Sequence, residues 1–84
     1  MQVADIEAQI RSFLARKFPL AGNGLGDGDP LLGSVVDSNG VIELVEFLQE
    51  RFAITVDDED ITMENLDSVR NAAAFVNRKI LNHP

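Results

Sequence analysis

Residues Ser38 to Phe52 carry the periodicity of an amphipathic α-helix, and such a helix must bury one of its faces. At about 100° per residue its apolar side chains form one stripe, which comprises Val41, Leu44, Val45, Leu48 and Phe52. The chain has 84 residues, and a domain of this size buries only about 60% of the surface that its unfolded chain exposes. The sequence therefore predicts a single domain over residues 1–84 with no room for a deep active site.

Further helices are predicted on both sides of this run. Apolar residues recur at helical spacing from about Val3 to Phe18, and Pro19 ends that segment. A short helical turn is expected after Thr62 and a long helix after Ser68, with these two residues as N-caps. The buried stripe of the last helix is expected to contain Val69, Ala72, Ala73, Val76 and Ile80. The predicted fold is all-α: a small four-helix bundle of three main helices plus one short helix.

The segments between these helices read as connections. Residues 21–30 contain four glycines and are predicted to form a loop, after which apolar residues at 31–36 return the chain to the core. Residues 53–56 end in three β-branched residues but have no partner strand, so we expect an extended connector that inserts Ile54 and Val56 into the core. Residues 57–60 are acidic and are expected to be solvated, as caps or as a loop.

The charge distribution favours a protein partner over a nucleic acid. The net charge is −7, and twelve acids with one base, Arg51, lie between Asp27 and Asp67. Such a field repels nucleic acid and anionic membranes and attracts basic protein surfaces; alternatively, the acids serve solubility alone. Without cysteine, a membrane-length apolar run or a signal peptide, the chain is expected to be a cytoplasmic monomer with no membrane span.

The residues give little support for catalysis, or for metal or phosphate binding, by the chain itself. A serine nucleophile needs a base within reach, and the only histidine of the sequence is His83, in the expected tail. The acidic clusters at 27–29 and 57–60 lack the ligand spacing of a calcium loop, and the glycine-rich run at 22–26 matches no phosphate-binding fingerprint. We therefore expect no enzymatic activity, no catalytic residue and no dedicated metal site.

Ser38 then becomes the candidate site. A serine at the start of a helix is most often an ordinary N-cap. The same position, however, places a hydroxyl beside free backbone N–H groups and the positive end of a helix dipole, where a phosphate is stabilised. A phosphodiester on Ser38 would fit there, provided that a modifying enzyme supplied the base and the metal.

Several parts of the chain, taken in order, resemble the acyl carrier protein family over residues Ile6 to about Ile80. They are the first amphipathic helix, the long loop, Asp37-Ser38, the runs 41–45 and 54–60, the segment 66–69 and the closing helix. The resemblance implies 4'-phosphopantetheine on Ser38, attached from coenzyme A by a phosphopantetheinyl transferase. It also implies that loading and acyl-using enzymes dock basic surfaces onto the second helix. The positions that map to this recognition are Asp37, Asn39, Ile42, Glu43, Glu46 and Glu50.

The chain departs from the family pattern at two of these positions, Asn39 and Glu46, and at Gly40. Asn39 stands where leucine is usual and Glu46 where methionine is frequent, and Gly40 is expected to loosen the first helical turn. These departures indicate a specialised stand-alone carrier with its own partner enzyme. The resemblance implies a cargo that is an acyl or an aminoacyl group, the latter loaded by a dedicated ligase. The alternative is an unmodified acidic helical module that only binds a basic partner.

Overall fold

A computed structural model describes residues 2–19, 26, 28–33 and 35–82. Four α-helices and one 3₁₀ turn lie entirely within these residues, namely α1 (Val3–Lys17), α2 (Ser38–Phe52), the turn Asp58–Asp60, α3 (Met63–Leu66) and α4 (Val69–Asn82). Over these residues there is no strand, only an isolated bridge between Leu32 and Val36. The predicted all-α bundle of three main helices and one short helix is confirmed.

Helix α1 packs along α4 and ends where the sequence indicates. The Phe18 N–H donates to the Leu14 carbonyl at 2.8 Å. Pro19 follows directly and has no backbone N–H with which to continue the hydrogen bonds of α1. Arg51 at the end of α2 donates from Nε to Gln9 Oε1 of α1. This bond and the packing on α4 fix α1 against both of the other long helices.

The core lies where the apolar stripes of α1, α2 and α4 meet. In α2, Leu44, Leu48 and Phe52 are buried as predicted, whereas Val41 and Val45 are half-buried at the edge of the core. In α4 the predicted stripe is buried up to Val76, while Ile80 is half-buried. Phe75 lies outside the predicted stripe of α4 but is also buried, so the buried face of this helix is wider than its periodicity indicates.

The segment before α2 is fixed to the far end of the chain. Leu31 and Val36 are fully buried, as expected for residues that return the chain to the core. The Leu31 N–H donates to the Asp67 carbonyl at 2.7 Å, and the Leu32 N–H donates to Asp67 Oδ1 at 3.3 Å. Because these bonds join residues far apart in sequence, they place the start of α2 relative to the start of α4.

The connector after α2 is extended, as predicted, and its position depends on two local features. Ala53 adopts a left-handed conformation (φ 54°) that ends α2. Ile54 is then buried and Val56 half-buried, and the Val56 N–H donates to Gln49 Oε1 at 2.9 Å. Gln49, which the helical periodicity of α2 places on its outer face, is therefore half-buried and holds the connector.

Both predicted caps in the second half of the chain are confirmed. Thr62 Oγ1 accepts from the Asn65 N–H at 3.2 Å, and Ser68 Oγ accepts from the Asn71 N–H at 3.0 Å. Most of the predicted glycine-rich loop lies outside the described residues. His83 also lies outside them. None of the described helices has the length and apolar character needed to cross a membrane.

Candidate functional site

The first turn of α2 is capped by Asp37 and not by Ser38. Asp37 Oδ1 accepts a hydrogen bond from the Gly40 N–H at 2.8 Å, and the Asp37 carbonyl accepts the first helical bond, from the Val41 N–H, at 2.9 Å. Ser38 is thus the first residue inside the helix. The ordinary capping role considered for Ser38 from the sequence is wrong, because the preceding carboxylate already reaches the third helical amide.

Ser38 is exposed at the end of the helix where an anion is favoured. The first N–H groups of any α-helix have no partner within the helix, and the cap at Gly40 leaves those of Ser38 and Asn39 for another acceptor. An ester phosphate on the Ser38 oxygen would lie beside them. The residues present therefore fit a phosphate-linked group, with the hydroxyl as its attachment point.

The first turn of α2 is also closely packed on its inner side. Gly40 is buried, and a Cβ atom at this position would lie 3.0 Å from Phe18 Cζ and 3.0 Å from Val36 Cγ1. The sequence predicted that Gly40 loosens this turn, because glycine has a low helix propensity. In the folded protein, this glycine allows two apolar side chains to approach the helix backbone.

The side chains assigned to partner recognition all lie at the surface. Ile42 is 59% exposed, one helical turn after Ser38. The other five are also exposed, namely Asp37, Asn39, Glu43, Glu46 and Glu50. Together with Ser38 they cover the outer face of α2, so a partner can reach the hydroxyl and these side chains from one side.

A shallow groove between α1 and α2 runs beside this acidic face. The groove has a volume of about 350 Å³ and is lined by Phe13, Arg16, Lys17, Glu43, Glu46, Phe47 and Glu50. Phe13 and Phe47 form its apolar part with their rings stacked at 4.3 Å, and the two basic residues come from the end of α1. This groove was not predicted from the sequence, because Phe47 lies off the main stripe of α2 and no local signal places it against α1.

Part of the acidic run at 57–60 forms ion pairs within the fold. Lys79 Nζ of α4 lies 2.7 Å from Asp60 Oδ2 and 3.7 Å from Asp57 Oδ2. The Lys79 hydrogen bond, followed by the backbone N–H of Asp57, lowers the pKa of Asp60, and the Asp60 hydrogen bond raises the pKa of Lys79. The run was expected to be solvated, as caps or as a loop, and Asp57, Asp58 and Glu59 are exposed. The sequence did not predict that Asp57 and Asp60 also pair with Lys79 of α4.

Metal ligands do not gather in the described part of the chain. No three histidine, cysteine, aspartate or glutamate side chains within it lie close enough together to hold a metal ion. Asp57 and Asp60 instead cap the 3₁₀ turn, where the Asp57 N–H donates to Asp60 Oδ2 at 3.0 Å.

Comparison with known proteins identifies the family. Residues 8–76 match the family model described as a phosphopantetheine attachment site. No curated protein matches the chain at a significant level. The family match covers most of the chain, including α2 and both of its flanking connections. The chain therefore belongs to the phosphopantetheine attachment family: it is a carrier protein with a 4'-phosphopantetheine prosthetic group, and not an enzyme.

Proposed function

We propose that Ser38 is the attachment residue and that the protein is a specialised stand-alone carrier for an acyl or aminoacyl group. The observation that carries this proposal is the division of roles at the start of α2. Asp37 provides the cap, so the exposed Ser38 hydroxyl is not needed to complete the helix. Ser38 also lies within the residues matched by the family model.

The other described serines offer poorer attachment points. Ser68 is 6% exposed, and its hydroxyl already caps α4. Ser12 is exposed, but it lies in the interior of α1, where the backbone N–H groups are engaged within the helix. Ser38 therefore combines access with a helix terminus, and neither of the other two does.

The residues around Ser38 have distinct tasks in the proposed modification. The Ser38 oxygen forms a phosphodiester with the pantetheine-bearing phosphate of coenzyme A, the adenosine bisphosphate leaves, and the transferase accepts the serine proton. Asp37 holds the first turn of α2 in place, and the helix terminus stabilises the phosphate that remains. Once attached, the group supplies a thiol that carries the cargo as a thioester.

Partner recognition is proposed for the exposed face of α2. Its carboxylates attract basic enzyme surfaces, and Ile42 provides the apolar contact one turn from Ser38. The residues assigned are Asp37, Asn39, Ile42, Glu43, Glu46 and Glu50. A carrier needs a phosphopantetheinyl transferase and loading enzymes; the basic docking surfaces of these partners are part of the proposal.

Other features of the carrier stay predictions from the sequence. They are a single domain over residues 1–84, a monomeric state and a cytoplasmic location. The cargo class stays open between an acyl group and an aminoacyl group loaded by a dedicated ligase. Glu46 borders the α1–α2 groove beside Arg16 and Lys17. This surface carries both positive and negative side chains, which supports the proposal that the carrier has a partner enzyme of its own.

The test is incubation with coenzyme A, magnesium and a phosphopantetheinyl transferase, followed by intact mass measurement. We expect the protein to gain the mass of one phosphopantetheine group, Ser38→Ala to gain none, and Ser12→Ala to behave as the unsubstituted protein. A gain that persists in Ser38→Ala would refute the site. No gain with a transferase that modifies another carrier in the same assay would favour the unmodified interaction module.

A further inference from the structure

The packing around Gly40 suggests a task for this residue beyond the attachment chemistry itself. Gly40 is inside α2 and buried, and three atoms crowd the position that a side chain would occupy. A Cβ atom there would lie 3.0 Å from Phe18 Cζ, 3.0 Å from Val36 Cγ1 and 3.3 Å from Asp37 Oδ1. These neighbours come from the end of α1 and from the two residues that lead directly into Ser38.

One of these neighbours cannot easily move away. Val36 is buried, its N–H donates to the Leu31 carbonyl at 2.9 Å, and its carbonyl accepts from the Gly33 N–H at 2.9 Å. Leu31 is in turn bound to the Asp67 carbonyl. We therefore expect a side chain at position 40 to displace the first turn of α2 by a few tenths of an ångström, rather than the segment that precedes it.

We propose that Gly40 is a positioning residue for the modification of Ser38. Without a side chain, Gly40 lets Phe18 and Val36 pack directly on the first helical turn. The contact also keeps Asp37 Oδ1 close enough to cap the Gly40 N–H. The hydroxyl of Ser38, two residues earlier, is thereby held in one place for the transferase. This inference rests on the proposed function of Ser38.

Helix propensity acts in the opposite direction, which makes the inference testable. Alanine is a better helix former than glycine, so Gly40→Ala would stabilise a helix that stood alone. The crowding at 3.0 Å predicts instead that the substitution shifts the first turn and weakens the Asp37 cap. A shift of this kind misplaces the nucleophile without altering the exposed charges of α2.

The kinetic experiment compares the unsubstituted protein with Gly40→Ala in the transferase and coenzyme A assay. A misplacement of 1 Å can cost about 100-fold in rate; for the smaller shift here we expect kcat to fall about tenfold. KM should change by less than about twofold, because the docking carboxylates are intact. Circular dichroism confirms that each variant is folded at the assay temperature.

The matched rescue is Val36→Ala, which removes the Cγ1 atom that lies 3.0 Å from the added Cβ; the other atom at 3.0 Å, Phe18 Cζ, is the far end of a half-buried side chain that can move aside. The double variant Val36→Ala/Gly40→Ala should have a kcat within about twofold of Val36→Ala alone, a coupling that independent sites would not show. If Gly40→Ala alone does not fold, the comparison of the double variant with Val36→Ala tests the inference. Modification of Gly40→Ala at the original kcat, or a loss of kcat that Val36→Ala does not relieve, would overturn the inference.

Amide exchange measured by NMR separates this inference from the attachment proposal. The amide at position 40 should exchange slowly in the unsubstituted protein, faster in Gly40→Ala and slowly again in the double variant. This readout reports the capped turn even if Ser38 is never modified. An unmodified protein with the expected exchange pattern would refute the attachment site alone, whereas equal exchange in all three proteins would refute the positioning role.

Discussion

Two adjacent residues at the start of α2 have separate roles. Asp37 completes the helix with its carboxylate, while Ser38 presents a hydroxyl at the surface. A carrier benefits from this separation, because a phosphodiester on a capping hydroxyl would remove the cap. The same carboxylate also lies in the surface assigned to partner recognition, so its two contributions need to be measured apart.

Asp37→Ala is expected to lower the free energy of unfolding by about 1 kcal/mol, the usual effect of removing an N-cap. Asp37→Asn keeps an acceptor oxygen for the Gly40 N–H and should retain most of that stability. Urea denaturation measures both. Asp37→Asn should nevertheless raise KM for the transferase, since it removes the charge. Equal stability of Asp37→Ala and the unsubstituted protein would contradict the capping role.

At the scale of elements, α2 presents its carboxylates beside a basic end of α1. Glu43, Glu46 and Glu50 line one groove with Arg16 and Lys17. The two basic side chains reduce the negative potential that a basic partner meets. In the proposed docking, we therefore expect the affinity to depend on α1 as well as on the acids of α2 itself.

Neutralising these charges should change transferase KM in opposite directions. Glu43→Gln and Glu50→Gln are each expected to raise KM by about two- to fivefold, which corresponds to the loss of an exposed ion pair. Arg16→Gln and Lys17→Gln should lower it. Glu64→Gln, the same change at an exposed residue of α3, is the matched control and should leave KM unaltered. A rise in KM for Arg16→Gln would contradict this prediction and would show that an acidic group of the partner contacts Arg16.

A second contact between elements joins α4 to the 3₁₀ turn through Lys79. The pKa of Asp60 is lowered from its ordinary value of 3.8 by the Lys79 hydrogen bond. This stabilisation is present above pH 3.8 and is lost as the pH falls through the lower pKa of the folded state. The pKa of Lys79 is raised from 10.5, so its contribution is present below that pH and is lost as the pH rises through the higher folded value.

Lys79→Met should therefore flatten the acid side of the stability profile. We expect the difference in urea midpoint between the variant and the unsubstituted protein to be present near neutral pH and to shrink as Asp60 becomes protonated. Arg78→Met removes the 2.9 Å bond from Arg78 to Asn65 Oδ1 and leaves the Lys79–Asp60 pair in place. It also removes the smaller Coulombic effect by which Arg78 lowers the pKa of Asp60, so it should flatten the acid side much less than Lys79→Met does. A midpoint difference that is the same at all pH values would contradict the ion pair as its cause.

For the whole molecule, a net charge of −7 makes association with basic partners dependent on salt. Exposed charges are screened over about 8 Å at about 0.15 M salt and over about 3 Å at 1 M. Transferase KM should therefore rise with ionic strength, while kcat stays nearly constant once the complex is saturated. A KM independent of salt would show that apolar contacts, such as that of Ile42, dominate docking.

The core and the docking face of α2 should respond differently to truncation. Leu44→Ala removes a fully buried side chain and should cost about 2–5 kcal/mol, a large share of the 5–15 kcal/mol typical of a folded protein. Ile42→Ala, at a residue 59% exposed, should cost little stability but raise transferase KM. Urea denaturation and the mass assay measure these effects. A large loss of stability in Ile42→Ala would place Ile42 in the core.

Much of the fold could be predicted because its signals are local. The helices follow from apolar spacing, and Thr62 and Ser68 cap as predicted because a cap involves only residues three positions apart. The Asp37-Ser38 junction and the acids after it were likewise visible in the sequence. The resemblance built on them agrees with the family that residues 8–76 match.

By itself, the sequence determined which segments are helices and which faces are apolar, since each depends on near neighbours along the chain; it also led to the proposal that Ser38 carries the prosthetic group. Tertiary structure alone decided that Gly40 is a site of close packing, that Gln49 turns inward, and that Lys79 pairs with Asp60. It also placed the acids of α2 beside Arg16 and Lys17. These features depend on contacts between distant segments, which helical periodicity does not encode.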